Sequence, residues 1–224
     1  MLTQAAQDYL KAIYKLRQEG AVTTCGLARR LQVAPASVTS MVKKLARLGL
    51  VEHAPYRGVR LTAGGERVAL EVIRHHRLLE LLLSRLGVAL DRVDAEAERL
   101  EHALSEELED HIARSLGEPT HDPHGDPIPT RDGTLDDARH PTLADLASGQ
   151  GGVVARVSDR DPAVVRSLAQ RGLLPGASVR VERVDADGSA EVRVGRTRAR
   201  VGRQQARAVY VAPRPGRRHP SSRR

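Results

Sequence analysis

Phenylalanine and tryptophan are absent from this sequence, and four tyrosines are its only aromatics. Base stacking on aromatic platforms, the usual device of single-strand binders, is therefore excluded as a main mode. One cysteine, Cys25, leaves no internal disulfide framework and suits a reducing compartment. It stands among Leu27, Ala28 and Leu31, a setting that predicts a buried thiol. No apolar run is long enough to span a bilayer and no signal-peptide pattern opens the chain, so a cytoplasmic protein with no membrane partner is expected.

Charge is present and strongly segregated. The net charge of +8 over 224 residues hides a basic front block, with 10 basic and 3 acidic side chains in residues 1–61. Residues 62–150 reverse this with 9 and 19, residues 151–192 balance at 6 and 6, and residues 193–224 carry 11 and 0. Blocks of opposite sign point to different partners along the chain.

Residues 1–62 read as a winged helix-turn-helix. Ala6, Leu10, Ile13 and Leu16 recur at helical spacing before Gly20, "TTCGLARRLQV" is a short second helix, and "APASVTSMVKKLARLGLV" a third. Pro35 suits the first turn of that third helix, where its missing N–H costs nothing. Val38, Met41, Val42, Leu45 and Leu48 form its predicted buried stripe. Pro35, Ala36, Ser37, Thr39, Ser40, Lys43, Lys44 and Arg47 are left as candidates to meet double-stranded DNA. "LVEHAPYRGVRLT" gives two short strands around a turn, a wing offering Tyr56, Arg57 and Arg60 to phosphates. The competing reading is a solvated basic face on a small helical domain.

Residues 63–128 predict a long helix and two shorter ones. Val68, Val72, Ile73, Leu79, Leu82, Leu83 and Leu86 make the long helix too apolar for a monomer surface, which suggests packing in a homodimer. Val93, Ala97, Leu100, Leu104 and Leu108 are the predicted core stripe that follows. "EPTHDPHGDPIPTRDG" holds too much Pro, Asp and Gly for regular structure, and residues 129–141 read as a linker. From 142 to 212 short valine-rich strands surround one helix, as in a small SH3-like β-barrel. Residues 213–224 read as a basic, disordered tail. The fold class expected is mostly α with a small β domain.

Within "ERLEH", Glu98, Glu101 and His102 fall on one side of a helix at spacings that let side chains converge. Two carboxylates and an imidazole there repel one another, or titrate abnormally, unless a cation joins them. A salt-bridged face using Arg92 or Arg99 is the plainer alternative. Further candidate ligands are Asp8 on the first helix, His76 and Glu80 one turn apart on the long helix, and Asp122 and His124 in the "HDPHG" loop. A hydrolytic metalloenzyme is the rival class, but no candidate nucleophile or phosphate-binding glycine loop accompanies the cluster. No enzyme and no small-molecule substrate are expected.

"DYLKAIYKL", the winged helix, "RHHRLLELLL", "EAERLEHALSEELE", "PHGDPIP" and the closing β segment together resemble the diphtheria toxin repressor (DtxR) family of metal-dependent repressors. The closing segment is also similar to the FeoA-type SH3 fold through "TLADL" and "GLLPGASVRV". The resemblance implies a principal metal site of Asp8, Glu98, Glu101 and His102. It implies a second drawing on Glu80, Asp122, His124 and Asp161, hence two sites per subunit. His76 matches a family ligand whose site differs between branches, so both placements stay open. Iron-responsive members carry Met at the position of Asp8, Cys at Glu98 and His at Asp94. Carboxylates in place of sulfur harden the site, which implies Mn(II), with Fe(II) as the alternative. The implied function is a Mn(II)-activated homodimeric repressor binding a DNA operator in metal-ion homeostasis; a metal-independent winged-helix regulator is the remaining alternative.

Overall fold

The computed structural model describes residues 2–18, 20–54, 58–136 and 138–213. The chain forms two compact units, one of Met1–Leu79, Ala97–Thr120 and Ile128–Asp136, the other of Glu80–Glu96, His121–Pro127 and Asp137–Arg224.

The first unit opens with α1 (Gln4–Arg17), capped by Thr3, whose hydroxyl accepts from the Ala6 amide. α2 (Thr24–Leu31) is capped likewise by Thr23 and stops where Gln32 takes a left-handed conformation. α3 (Pro35–Arg47) starts on proline, and β1 (Val51–Ala54) pairs antiparallel with β2 (Gly58–Leu61). Leu10, Ile13, Leu27, Val38, Val42 and Leu45 close the core between the helices, and Val51 and Val59 bring the wing onto it. This is the expected winged helix-turn-helix. Leu48 departs from the predicted stripe at 52% exposed, because α3 has ended before it. Cys25 also departs. It is exposed, because it lies about 200° round α2 from buried Leu27.

α4 (Ala63–Arg85) gives its first part to this unit and its last turns to the other. Gly65 lets α4 start against the wing: a Cβ there would stand 1.9 Å from the Leu50 carbonyl oxygen. Much of the apolar set of α4 is covered within the chain itself, since Leu70, Val72, Ile73, Leu78 and Leu79 are buried, whereas Leu86 is 72% exposed.

α5 (Val93–Leu100) does not continue as an α-helix. A tighter turn, Glu101–Ala103, follows, Leu104 is extended, and Ser105 caps α6 (Glu106–Ser115). The predicted core stripe is broken by this change of pitch. Val93 and Ala97 are buried, but Leu100 and Leu108 are 45% and 51% exposed. Glu101 takes the inward position instead and is 1% exposed.

The second unit holds a five-stranded antiparallel sheet in the order β6-β5-β4-β3-β7. Its strands are β3 (Gly151–Val157), β4 (Ser178–Val184), β5 (Ala190–Val194), β6 (Thr197–Val201) and β7 (Val209–Pro213). In β5, Ala190, Val192 and Val194 point into the core while Glu191 and Arg193 alternate outward. α7 (Pro162–Gln170) was expected; α8 (Arg203–Ala208) was not, because "ARAVYV" reads as one strand. Its first half instead turns helical behind a Gly202–Gln205 capping contact, and the strand begins at Val209. This is the small SH3-like domain. The basic tail beyond Pro213 lies outside the described residues. Among the described residues no helix is long and apolar enough to cross a membrane.

Candidate metal centres and nucleic-acid interface

The tight turn after α5 aims two adjacent side chains at α1. His102 Nε2 lies 2.7 Å from Asp8 Oδ1 and 3.4 Å from Glu101 Oε1. On its other side, His102 Nδ1 donates to Gln7 Oε1 at 2.8 Å. With its proton on Nδ1, the ring offers the Nε2 lone pair toward Asp8. Asp8 Oδ1 and His102 Nε2 are both buried and neither makes a hydrogen bond. Two lone pairs held face to face want a cation between them, and the donor set of two carboxylates and an imidazole fits a divalent ion. Burial raises the Asp8 carboxyl above its ordinary range; His102 offsets part of this, while Glu98 and Glu101 add to it.

Glu98 does not join that group. It meets His76 and Glu101 in a second triad, so His76 stands beside Glu98 and Glu101. This triad already contains a cation: Lys11, buried at 5% exposure, donates to Glu98 Oε2 and to both carboxylate oxygens of Glu101, each at 2.7 Å. His76 Nδ1 lies 2.5 Å from Glu101 Oε2 and 3.3 Å from Lys11 Nζ. Burial alone would lower the Lys11 pKa, but Glu101 and Glu98 outweigh it and hold the ammonium above its usual value. Glu101 is lowered by the mirror-image balance, its burial outweighed by His76 and Lys11.

A second layer fixes Glu101 from behind. His75 Nδ1 faces the Glu101 carbonyl oxygen at 3.3 Å, and its Nε2 meets Glu109 Oε2 at 2.8 Å. Arg74 donates to Glu109 Oε1 at 2.6 Å and to the Pro129 carbonyl at 2.8 Å. Although burial works the other way, His75 and Arg74 pull the Glu109 pKa down to about 2. Gln7, His75 and Glu109 were not singled out from sequence. Only spacing could have flagged Gln7, beside Asp8, and Glu109, one α6 turn after the Ser105 cap.

In the second unit Glu80, Asp122 and His124 converge, all buried. Asp122 Oδ1 accepts from the amides of His124 and Asp126, which winds "HDPHGD" into a tight loop. Gly125, at φ +87, is obligatory in it, because a Cβ would meet the Ala155 carbonyl oxygen at 2.1 Å. His124 Nε2 bonds the Leu90 carbonyl at 3.1 Å, and its Nδ1 faces Glu80 Oε1 at 3.4 Å. Burial would lower the His124 pKa, but Glu80, Asp122 and Asp159 carry it up to about 9. Asp161 is not part of this group. It caps α7, accepting from the Ala163 and Val164 amides, and takes a further bond from Gln204.

On α3 the predicted contact residues Pro35, Ala36, Ser37, Thr39, Ser40, Lys43, Lys44 and Arg47 are all exposed, as is Arg60 on β2. Thr39 bonds back to the Pro35 carbonyl, which leaves a solvent face of small residues followed by cations. Tyr56 and Arg57 lie outside the described residues.

A winged helix followed by helices with carboxylate–imidazole clusters, then a small sheet domain, is the build of a metal-dependent DNA-binding repressor. The chain belongs to the iron-dependent, or diphtheria toxin, repressor family. Residues 1–59 match "Iron dependent repressor, N-terminal DNA binding domain", residues 62–130 its "metal binding and dimerisation domain", and residues 142–213 "FeoA domain". The iron-dependent repressor IdeR of Mycobacterium tuberculosis is 32% identical, over 94% of this chain and 97% of its own. A manganese-dependent transcriptional repressor solved in complex with manganese is 38% identical with a TM-score of 0.86, over 93% of this chain and 99% of that one. The manganese regulator SloR is 29% identical with a TM-score of 0.74, over 93% and 98%.

Proposed function

We propose that this protein is a manganese(II)-activated, homodimeric repressor that binds operator DNA in the cytoplasm and controls metal-ion supply. The observation that carries the metal reading is the pair of buried, unbonded atoms Asp8 Oδ1 and His102 Nε2 facing each other across 2.7 Å. When bound, Mn(II) supplies a divalent charge that Asp8, Glu101 and His102 hold in common. Both clusters lack sulfur, which favours a hard ion. Iron(II) is the second reading, supported by the likeness to the iron-dependent relative.

Asp8 sits on α1, whose other face packs with α2 and α3, whereas Glu101 and His102 sit on the turn after α5. Holding them together ties the recognition helix to the dimerisation helices and favours one setting of the DNA-binding face. Gln7 keeps His102 in the tautomer that offers Nε2, and Lys11, His76 and His75 hold Glu101. Glu80, Asp122 and His124 are assigned a second ion, for which Asp161 is not needed. The exposed Leu100 and Leu108 support burial against a second subunit. Calorimetric titration of the full chain with Mn(II) tests the reading. Uptake is expected in the native chain and reduced in Asp8→Ala and His102→Ala; equal uptake in all three contradicts it.

A further inference from the structure

Two triads of this structure share Glu101 and differ in what joins their lone pairs. Around Asp8 and His102 the facing atoms, 2.7 Å apart, have no side-chain cation from α1 between them. Around His76 and Glu98 the ammonium of Lys11 takes that place, 3.3 Å from His76 Nδ1 and 2.7 Å from Glu98 Oε2. The ligand atoms of each triad lie within 4.8 Å of one another, a spacing that can surround an ion. We propose that Lys11 is a tethered cation occupying the second triad, and that its ammonium alone keeps His76, Glu98 and Glu101 from taking up a divalent ion of their own.

Lys11 is 5% exposed and its Nζ touches three carboxylate oxygens, so no ion can approach their centre while it stays. Its chain emerges from α1, one turn beyond Asp8, so the two cations are set side by side by a single helix. A tethered ammonium also has a consequence that a mobile ion lacks. It holds both oxygens of Glu101 at 2.7 Å before any metal arrives, and keeps the shared carboxylate charged. Removing the ammonium while keeping the two carboxylates and the imidazole leaves a hard donor set with excess negative charge, which suits the same class of ion as the first triad. This inference rests on reading Asp8, Glu101 and His102 as an ion site.

The test counts Mn(II) per chain in the native protein, Lys11→Gln, Lys11→Met and Lys11→Arg, all purified and equilibrated with Mn(II), and records electron paramagnetic resonance on each. The Gln and Met variants are expected to gain one ion per chain. They should also show exchange coupling, since ions sharing one carboxylate lie about 4 Å apart. Lys11→Arg keeps the charge and should keep the native count and an uncoupled signal. Using two neutral variants guards against one that fails to fold. A native count in a folded Gln or Met variant, or an extra ion in Lys11→Arg, would overturn the proposal. Failure of the underlying reading shows differently: His102→Ala would then leave the native count unchanged, and both conclusions fall together.

Discussion

His102 Nε2 and Asp8 Oδ1 face each other at 2.7 Å, and neither atom makes a hydrogen bond. Such a contact needs a proton or a cation between the two atoms, and a divalent ion can serve both at once. It also joins α1, which belongs to the DNA-binding helices, to a turn in the dimerisation helices.

Gln7 fixes the His102 tautomer by accepting from Nδ1. Gln7→Ala should weaken Mn(II) binding about 10- to 100-fold, as loss of a ligand's supporting hydrogen bond commonly does. Gln7→Glu keeps the acceptor and should restore most of it. A Mn(II) titration of both variants checks this, and equal affinities would remove Gln7 from the account.

Glu109 is buried between Arg74 and His75, with its pKa lowered from 4.5 to about 2. A depressed carboxylate stabilises the fold fully above pH 4.5 and loses that contribution as the pH falls toward 2. Glu109→Gln should therefore cost about 3–5 kcal/mol at neutral pH, because it leaves the buried Arg74 guanidinium without its charge partner. The gap to the native chain should close near pH 2. Urea unfolding of the ion-free proteins as a function of pH measures it.

His124 has the opposite sign. Its pKa is raised from 6.5 to about 9, so its stabilising proton is present below 6.5 and lost as the pH rises through 9. An ion held by Glu80, Asp122 and His124 must displace that proton. Its affinity should fall about tenfold for each pH unit below 9, with one proton released per ion. Titration in buffers of different ionisation enthalpy reads the proton directly, and Glu80→Gln should flatten the dependence.

Lys43 and Lys44 project from the exposed face of α3. If each meets one phosphate, Lys43→Ala and Lys44→Ala should each lower the salt slope of DNA binding by about 1, with little change in sequence preference. Ser37→Ala, near the start of α3, should instead alter preference more than slope.

The winged helix was legible because its helix order, caps and charge all agree: Thr3, Thr23 and Pro35 mark helix starts, and Val38, Val42 and Leu45 face inward. The SH3-like strands were legible through alternating valines, but not α8, whose residues carry no competing period. Asp8, Glu101 and His102 were grouped from motif resemblance, and the structure does bring them together. Glu98 and His76 were harder to place. A helical wheel assumes that α5 runs on, whereas the tight turn at 101–103 rotates Glu101 inward and leaves Glu98 facing Lys11 and His76. Asp161 was named from the resemblance alone, and its carboxylate here caps α7. The burial of Lys11 among three acceptor groups appears only in three dimensions.

The central claim is that an ion at Asp8, Glu101 and His102 sets the DNA-binding face. Its most direct measurement is affinity for a duplex selected by the Mn(II)-loaded protein from a random pool, titrated with Mn(II) for the native chain and for Asp8→Ala. Native affinity should rise steeply with Mn(II), while Asp8→Ala stays at the ion-free level with its fold intact by circular dichroism. An Asp8→Ala variant that gains DNA affinity with Mn(II) as the native chain does would contradict the account.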